Sequence, residues 1–127
     1  MTTRSARILL VEDDYDIRES MKEVLEDEGY IVDAAVDGLD ALAQLRAAEQ
    51  LPQLILLDLM MPRMNGLELH RELAKVPAWA AIPVVVLSAD ADVRNKARAL
   101  MAQAFLQKPI QLSALFETVA HALRCAV

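Results

Sequence analysis

The sequence predicts an α/β fold, in which helices cover both faces of a parallel β-sheet. Short apolar runs alternate along the chain with longer segments whose apolar residues recur at helical spacing. The runs have few polar interruptions, as expected of strands that are buried on both faces. Regular alternation of strand and helix favours one parallel sheet with right-handed crossovers.

Five of these runs are predicted to be strands. Three of them are the most uniformly apolar and are expected in the centre of the sheet: Arg7–Val11, Leu54–Leu57 and Pro83–Leu87. The other two are shorter or less uniform, namely Ile31–Ala35, which contains Asp33, and Ala104–Leu106. Such segments suit strands that lie nearer the edges of a sheet.

A helix is predicted after each strand. The first, over Asp16–Glu28, has one apolar stripe, with aspartates near its start and Gly29 placed to end it. The remaining four are predicted over Gly38–Ala48, Gly66–Lys75, Asp92–Ala102 and Ser113–Arg124. Helices between successive parallel strands must lie on the faces of the sheet.

Composition indicates one globular domain without disulfides. The chain has 127 residues, close to the usual size of a single domain, and 55% of them are hydrophobic. Its only cysteine, Cys125, can form neither an intramolecular disulfide nor a cysteine-based metal site. No apolar run approaches the ~20 residues of a membrane-spanning helix, and a secretory signal is not recognisable. We therefore expect residues 1–127 to form one cytoplasmic domain, without membrane insertion and without a separate output domain.

The charge balance argues against binding to nucleic acid. There are 13 Lys and Arg residues against 19 Asp and Glu residues, which gives a net charge of −6. A domain of this sign is repelled by the phosphate backbone. Direct contact with nucleic acid is therefore not expected.

Polar residues follow four of the five predicted strands at the point where each strand ends. Glu12, Asp13 and Asp14 follow the first, Asp58 the third, Ser88 the fourth and Lys108 the fifth. In open α/β sheets, ligands bind outside the carboxyl ends of the strands. Carboxylates, a hydroxyl and an ammonium group should therefore meet at one edge of the sheet.

These side chains suit a metal-assisted phosphoryl transfer. Asp13, Asp14 and Asp58 offer the oxygen ligands that Mg²⁺ prefers. Asp58, at the end of a central strand, is the best-placed nucleophile, with Lys108 and Ser88 available to contact phosphoryl oxygens. Taken singly, each residue could instead be a helix cap or a solvated surface group; it is their convergence that favours a site.

The same residues resemble the receiver domain of two-component response regulators. The resemblance covers nearly the whole chain and rests on the segments Ile8–Asp14, Asp58–Gly66, Ser88–Ala89 and Phe105–Pro109. It implies a flavodoxin-like fold with strand order 2-1-3-4-5, which agrees with the predicted edge strands. It also implies a cis peptide bond before Pro109.

The resemblance assigns a role to each of the site residues. The aspartate that matches Asp58 accepts a phosphoryl group from a sensor histidine kinase, a phosphotransfer protein or a small donor such as acetyl phosphate. Mg²⁺ is implied as the cofactor, held by the residues that match Asp13, Asp14 and Asp58 and by the backbone carbonyl that matches Met60. Lys108 would contact the phosphoryl group.

The resemblance further implies a conformational switch. The hydroxyl that matches Ser88 moves toward the phosphoryl group, and the aromatic side chain that matches Phe105 turns inward. These movements change the surface formed by the fourth predicted helix, the fifth strand and the fifth predicted helix, to which a downstream protein binds. Such a domain is not an enzyme with an external substrate, because it catalyses only its own phosphorylation and dephosphorylation.

Three other functions agree less well with these residues. A phosphatase of the haloacid dehalogenase type needs a second aspartate two residues after the nucleophile, where this chain has Met60. A dinucleotide-binding protein needs a glycine-rich loop after the first strand, where Glu12, Asp13 and Asp14 would repel the pyrophosphate. A scaffold that is never phosphorylated would have no need of the acids, the serine and the lysine together.

Overall fold

The structure, a computed structural model, describes residues 6–61, 63–90, 92–100 and 102–125. Its strands are β1 (Arg7–Val11), β2 (Ile31–Ala35), β3 (Leu54–Asp58), β4 (Val84–Ser88) and β5 (Ala104–Gln107). Its helices are α1 (Tyr15–Asp27), α2 (Gly38–Ala47), α3 (Gly66–Ala74), α4 (Pro77–Ala80), α5 (Val93–Ala99) and α6 (Leu112–Cys125). Strand and helix alternate from β1 to α6, as the sequence predicts, with one additional helix.

The sheet is parallel and has the order β2-β1-β3-β4-β5. This order confirms the predicted fold class, with β2 and β5 at the edges. The peptide bond between Lys108 and Pro109 is cis, also as predicted. In a parallel sheet all carboxyl ends lie at the same edge, so the polar residues after β1, β3, β4 and β5 lie at one edge of the sheet.

Two apolar cores flank the sheet because successive side chains of each strand point to opposite faces. Leu10 and Leu56 pack with Leu25 of α1 and Leu115 of α6. On the opposite face, the neighbouring strand residues pack with helices α2, α3 and α5; this core includes Leu9, Leu57, Leu42, Leu69 and Val93. Burial on both faces explains why the central strands are almost uniformly apolar.

The short helix α4 is the element that the sequence analysis missed. Pro77 occupies its first turn, a position that proline favours because its fixed φ suits a helix start. Trp79 is half-buried against the core between α3 and β4. The fourth and fifth predicted helices therefore correspond to α5 and α6. Helix α5 is shorter than predicted, and Met101, within the predicted range, lies outside the described residues.

Within the described residues, no helix is both long enough and apolar enough to cross a bilayer.

Candidate functional site

Three of the four buried polar side chains of the described residues lie directly at the carboxyl ends of β1, β3 and β4. Glu12 has no exposed surface, Ser88 is 1% exposed and Asp58 is 2% exposed. Glu12 directly follows β1, whereas Asp58 and Ser88 are the last residues of β3 and β4. Burying ionisable groups costs free energy unless charges and hydrogen bonds compensate it. These positions therefore mark a site rather than ordinary packing.

The structure brings together a different set of acids from the one predicted. Carboxylate oxygens of Glu12, Asp13 and Asp58 lie within 4.8 Å of one another. Asp13 and Asp58 belong to the predicted metal set, but the third member is Glu12 rather than Asp14. Asp13 is exposed and the other two are buried, so the group opens to solvent on one side.

Asp14 has a structural role at the start of α1. Its Oδ1 accepts a hydrogen bond of 3.0 Å from the backbone N–H of Ile17, which makes Asp14 the N-cap. Its own backbone N–H donates to Glu12 Oε2 at 3.2 Å. The carboxylate of Asp14 is thus turned to the helix, and its neighbour Glu12 faces the site.

Lys108 is the cation of the site. Its Nζ lies 2.6 Å from Glu12 Oε1 and 3.3 Å from Asp58 Oδ2, and its side chain is 17% exposed. The contact with Glu12 is an ion pair without good hydrogen-bond geometry, since Glu12 Oε1 receives no hydrogen bond from the described residues. The backbone N–H of Lys108 donates to the carbonyl of Ser88 at 2.8 Å, which ties β5 to β4 at this point. One ammonium group therefore faces two buried carboxylates.

In this site the pKa values of both Asp58 and Lys108 are raised. Burial, followed by the hydrogen bond and negative charge of Glu12, raises the pKa of Asp58 to about 7; the Met60 N–H and Lys108 oppose this shift. Burial alone would lower the pKa of Lys108, but the neighbouring Glu12 and Asp58 outweigh it and raise that pKa. The site thus holds more negative charge than its single lysine neutralises.

The raised pKa of Asp58 predicts a gain in stability for Asp58→Asn in metal-free protein. The carboxyl has a pKa of about 7 in the folded chain and an ordinary value of 3.8, so the folded state loses stability as pH rises between these values. The amide cannot ionise, so the variant should be more stable by roughly 2 to 4 kcal/mol at pH 8, with the difference vanishing near pH 4.

Urea unfolding in EDTA at several pH values measures this difference. Glu23→Gln is the matched control, because Glu23 is an exposed carboxylate on α1, and it should change stability little at any pH. Equal stability of the native chain and Asp58→Asn at pH 8 would contradict the account of the buried charge.

Arg18 is a site residue that sequence reasoning missed. Its Nη1 donates to the backbone carbonyls of Glu12, at 3.0 Å, and Asp13, at 3.3 Å. The guanidinium also lies over the ring of Tyr15, 5.4 Å from its centroid. Arg18 thereby holds the backbone between β1 and α1 that carries the two acids. A positive residue one turn into a helix that follows an acidic loop is the signal that could have found it.

The two predicted switch residues, Ser88 and Phe105, lie in β4 and β5. The hydroxyl of Ser88 accepts a hydrogen bond of 3.1 Å from the backbone N–H of Asp90, and Asp90 forms an ion pair with Lys96 of α5. Phe105 is half-buried, and the guanidinium of Arg94 lies 5.5 Å from its ring centroid. Both side chains therefore contact residues at the start of α5 or the loop before it.

The loop after Asp58 turns sharply into α3. The backbone N–H of Met60 donates to Asp58 Oδ1 at 3.1 Å, and the N–H of Gly66 donates to the carbonyl of Leu59 at 3.2 Å. A Cβ at Gly66 would lie only 2.8 Å from Leu59 Cα, so this close approach requires glycine. Pro62, within the predicted motif, lies outside the described residues.

Comparison with known sequences identifies relatives over nearly the whole chain. A family model described as a response regulator receiver domain matches residues 8–120. Response regulator MprA of Mycobacterium ulcerans and that of Mycobacterium tuberculosis are each 38% identical to this chain over 122 residues. Each match covers 94% of this chain and 51% of the relative, so the chain spans about half the length of these curated relatives.

Solved structures with the same fold include three from different bacteria. Chemotaxis protein CheY4 of Vibrio cholerae has a TM-score of 0.83 at 28% identity, covering 92% of this chain and 98% of that one. The receiver domain of a histidine kinase from Syntrophus aciditrophicus has a TM-score of 0.82 at 34% identity, covering 94% and 91%. TrrA of Thermotoga maritima, in complex with Mg²⁺ and BeF, has a TM-score of 0.79 at 30% identity, covering 96% and 99%.

Proposed function

This chain belongs to the family of response regulator receiver domains of two-component systems, and we propose that Asp58 is its phosphoacceptor. The observation that carries the proposal is that Asp58 lies beside both a cation and two further acids at one edge of the sheet. Asp58 Oδ2 lies 3.3 Å from Lys108 Nζ, and its carboxylate lies within 4.8 Å of Glu12 and Asp13 oxygens. A nucleophile, a metal-ligand set and a compensating charge are thus present together.

The donor set fits a divalent cation that prefers oxygen. Glu12, Asp13 and Asp58 supply carboxylate oxygens, Glu12 Oε1 receives no hydrogen bond from the described residues, and one lysine leaves negative charge to be neutralised. We propose that these three acids hold Mg²⁺, with the Met60 carbonyl as a further ligand, and that Asp14 caps α1 instead. Bound Mg²⁺ would offset the charge on the oxygens of the transferring phosphoryl group. The relative TrrA was solved with Mg²⁺ and BeF, which supports this choice of ion.

Phosphoryl transfer then uses residues that are already in place. A carboxylate oxygen of Asp58 forms a bond to phosphorus while the bond from phosphorus to the donor breaks, and the donor keeps that electron pair. Lys108 offers its ammonium group to one phosphoryl oxygen. Burial of Asp58 and Glu12 strengthens these electrostatic contacts, because they act in a region that water reaches poorly.

We propose that the switch begins at the Ser88 hydroxyl. In the structure its oxygen accepts a hydrogen bond from the Asp90 N–H, which leaves its proton available to an acceptor. A phosphoryl group with a charge of roughly −1.5 to −2 is a strong acceptor, so it favours the conformer in which the hydroxyl moves to donate to it. Movement of Ser88 would disturb the loop before α5 and then the contact between Arg94 and Phe105. We propose that the surface of α5, β5 and α6 changes in this way and binds a downstream protein.

The proposed partners follow from this chemistry. A sensor histidine kinase or a phosphotransfer protein would supply the phosphoryl group, and acetyl phosphate would replace it in the test tube. The chain would catalyse only its own phosphorylation and dephosphorylation. We propose that it acts in the cytoplasm, because histidine kinases take their phosphoryl group from the ATP there. The net charge of −6 opposes direct binding of nucleic acid by this domain.

Incubation with acetyl phosphate tests the proposal. The native chain should gain one phosphoryl group in the presence of Mg²⁺ and none in EDTA, because the acids around Asp58 repel an anionic donor when no metal is bound. Intact mass measured at neutral pH counts the groups added.

Asp58→Asn is the control for the acceptor in that experiment. It should gain no phosphoryl group with or without Mg²⁺, although its fold is expected to be at least as stable as that of the native chain. Labelling of Asp58→Asn at the native level would identify a different acceptor and overturn the proposal.

A further inference from the structure

We propose that Asp37 and Arg63 are a positioning pair that fixes the loop that follows Asp58 and carries Met60, for metal binding and phosphoryl transfer. The inference rests on the proposed function, and it concerns residues that do not belong to the phosphorylation site. The two lie 26 positions apart in sequence, one at the start of α2 and the other in the loop between β3 and α3. They join the site loop to a neighbouring element.

Asp37 is a buried carboxylate whose two oxygens have separate roles. Its side chain is 5% exposed. Oδ1 accepts the backbone N–H of Asp40 at 2.8 Å and so caps α2. Oδ2 accepts from Arg63 Nε at 2.5 Å and also pairs with Arg63 Nη2. The helix end holds Asp37 in place, which makes it a rigid anchor for the arginine.

Arg63 has an unfavourable backbone conformation. Its φ is 61°, and among the described residues no other non-glycine residue has a positive φ. A side chain at this angle costs free energy that glycine would avoid. The ion pair with Asp37 offsets this cost, so the arginine and the buried acid act together.

A second contact joins the same two segments. The backbone N–H of Gly38, the first residue of α2, donates to the carbonyl of Met64 at 3.1 Å. A Cβ at Gly38 would lie 2.7 Å from that carbonyl, so the loop lies directly against the helix start. The loop ends are fixed by β3 and by the Gly66 contact with Leu59, and the α2 contacts fix its middle.

Loss of the pair should therefore loosen the segment that presents Asp58 and Met60. Small displacements of groups that orient metal ligands lower metal affinity and transfer rates, even when the ligands are unchanged. Asp37 itself is turned toward Asp40 and Arg63, so its influence on the site passes through the loop.

Arg63→Gly separates positioning from stability. Glycine relaxes the backbone at φ 61° but leaves the buried Asp37 carboxylate without its cation. These two effects oppose each other, so the melting temperature should change by only a few degrees. The Mg²⁺ dissociation constant from titration calorimetry should rise about threefold to tenfold, and the acetyl phosphate labelling rate at saturating Mg²⁺ should fall by a similar factor.

Two further variants complete the test. Asp37→Asn retains an oxygen for the α2 cap and loses the acceptor for Arg63, so it should reproduce the Arg63→Gly effects. The double variant should be no worse than either single one, since the two residues act through one contact. Arg71→Ala removes an exposed positive charge from α3 and should leave both quantities at native values.

These outcomes distinguish a failure of the positioning role from a failure of the proposed function. If the native chain is labelled and Arg63→Gly matches it in Mg²⁺ affinity and rate, the positioning role is overturned and the proposed function stands. If the effects of Asp37→Asn and Arg63→Gly add in the double variant, the pair is not the unit that acts, and the positioning proposal also fails. If the native chain takes up no phosphoryl group in Mg²⁺, the proposed function fails first and the positioning role with it.

Discussion

Replacing Lys108 by methionine is expected to slow phosphorylation while tightening the binding of Mg²⁺. The ammonium group lies 2.6 Å from Glu12 and 3.3 Å from Asp58. In the proposed mechanism it would both compete with a metal for these acids and stabilise the transferring phosphoryl group. Methionine keeps an unbranched side chain but removes the charge. The labelling rate at saturating Mg²⁺ should fall about 100- to 1,000-fold, the usual loss when a group that stabilises developing charge is removed.

The gain in metal affinity has an electrostatic cause. Without Lys108, two buried carboxylates face each other with no cation, and a divalent ion is then the means of neutralising them. Mg²⁺ affinity, measured by titration calorimetry, should rise by roughly tenfold, about 1.4 kcal/mol. In EDTA the same variant should unfold at lower urea concentration than the native chain, and Mg²⁺ should restore much of the loss.

Lys22→Met is the matched control for Lys108→Met. Lys22 forms an exposed ion pair of 3.0 Å with Glu26 along α1. It should leave Mg²⁺ affinity and labelling rate unchanged. A Lys108→Met variant that is labelled at the native rate would remove Lys108 from the transfer mechanism.

Glu12→Gln and Asp14→Asn are expected to differ strongly in their effect on Mg²⁺ binding. Glu12 contributes a buried carboxylate to the group of acids, whereas Asp14 uses Oδ1 to cap α1. Loss of one anionic ligand should weaken Mg²⁺ binding by about tenfold or more. Asparagine is as good an N-cap as aspartate, so Asp14→Asn should change the affinity less than about twofold.

Calorimetric titration of both variants under the same conditions decides between the two assignments. The structure predicts the large effect at Glu12. A large effect at Asp14, with Glu12→Gln close to native, would restore the set of ligands expected from the sequence and contradict the geometry described above.

The sequence predicted the sheet well because its signal is local. Residues Arg7–Val11 and Ile31–Ala35 have the predicted bounds, since short apolar segments between polar turns have few alternatives in an α/β chain. Helix α4 was missed because four residues are too few to show a period of 3.6. Its proline at the first turn was a usable signal.

The predicted metal ligands and the acids that the structure gathers differ at one residue, because the choice depends on the direction of three consecutive side chains. Glu12, Asp13 and Asp14 are alike in chemistry, and the sequence alone does not state where α1 begins to within one residue: the helix was predicted from Asp16 and begins at Tyr15. Once the cap position is known, Asp14 is assigned to the helix and Glu12 to the site. The spacing from Asp14 to Ile17, with a helix starting between them, was the available indication.

The pair of Asp37 and Arg63 could not have been found in this way. Its members come from different loops, and the contact depends on the packing of α2 beside the loop after β3. A positive φ at an arginine leaves no trace in the local sequence, because glycine or asparagine is the residue that such a conformation normally predicts. Sequence reasoning therefore reaches the acids and the lysine but not what holds their loop in place.

The central claim is that folding gathers Glu12, Asp13 and Asp58 around one divalent ion. Anomalous diffraction from crystals grown with Mn²⁺, which accepts the same oxygen ligands as Mg²⁺, locates such an ion directly. We predict a single strong anomalous peak in contact with carboxylate oxygens of these three residues. A peak bound through Asp14, or no peak near Asp58 at saturating Mn²⁺, would contradict the account.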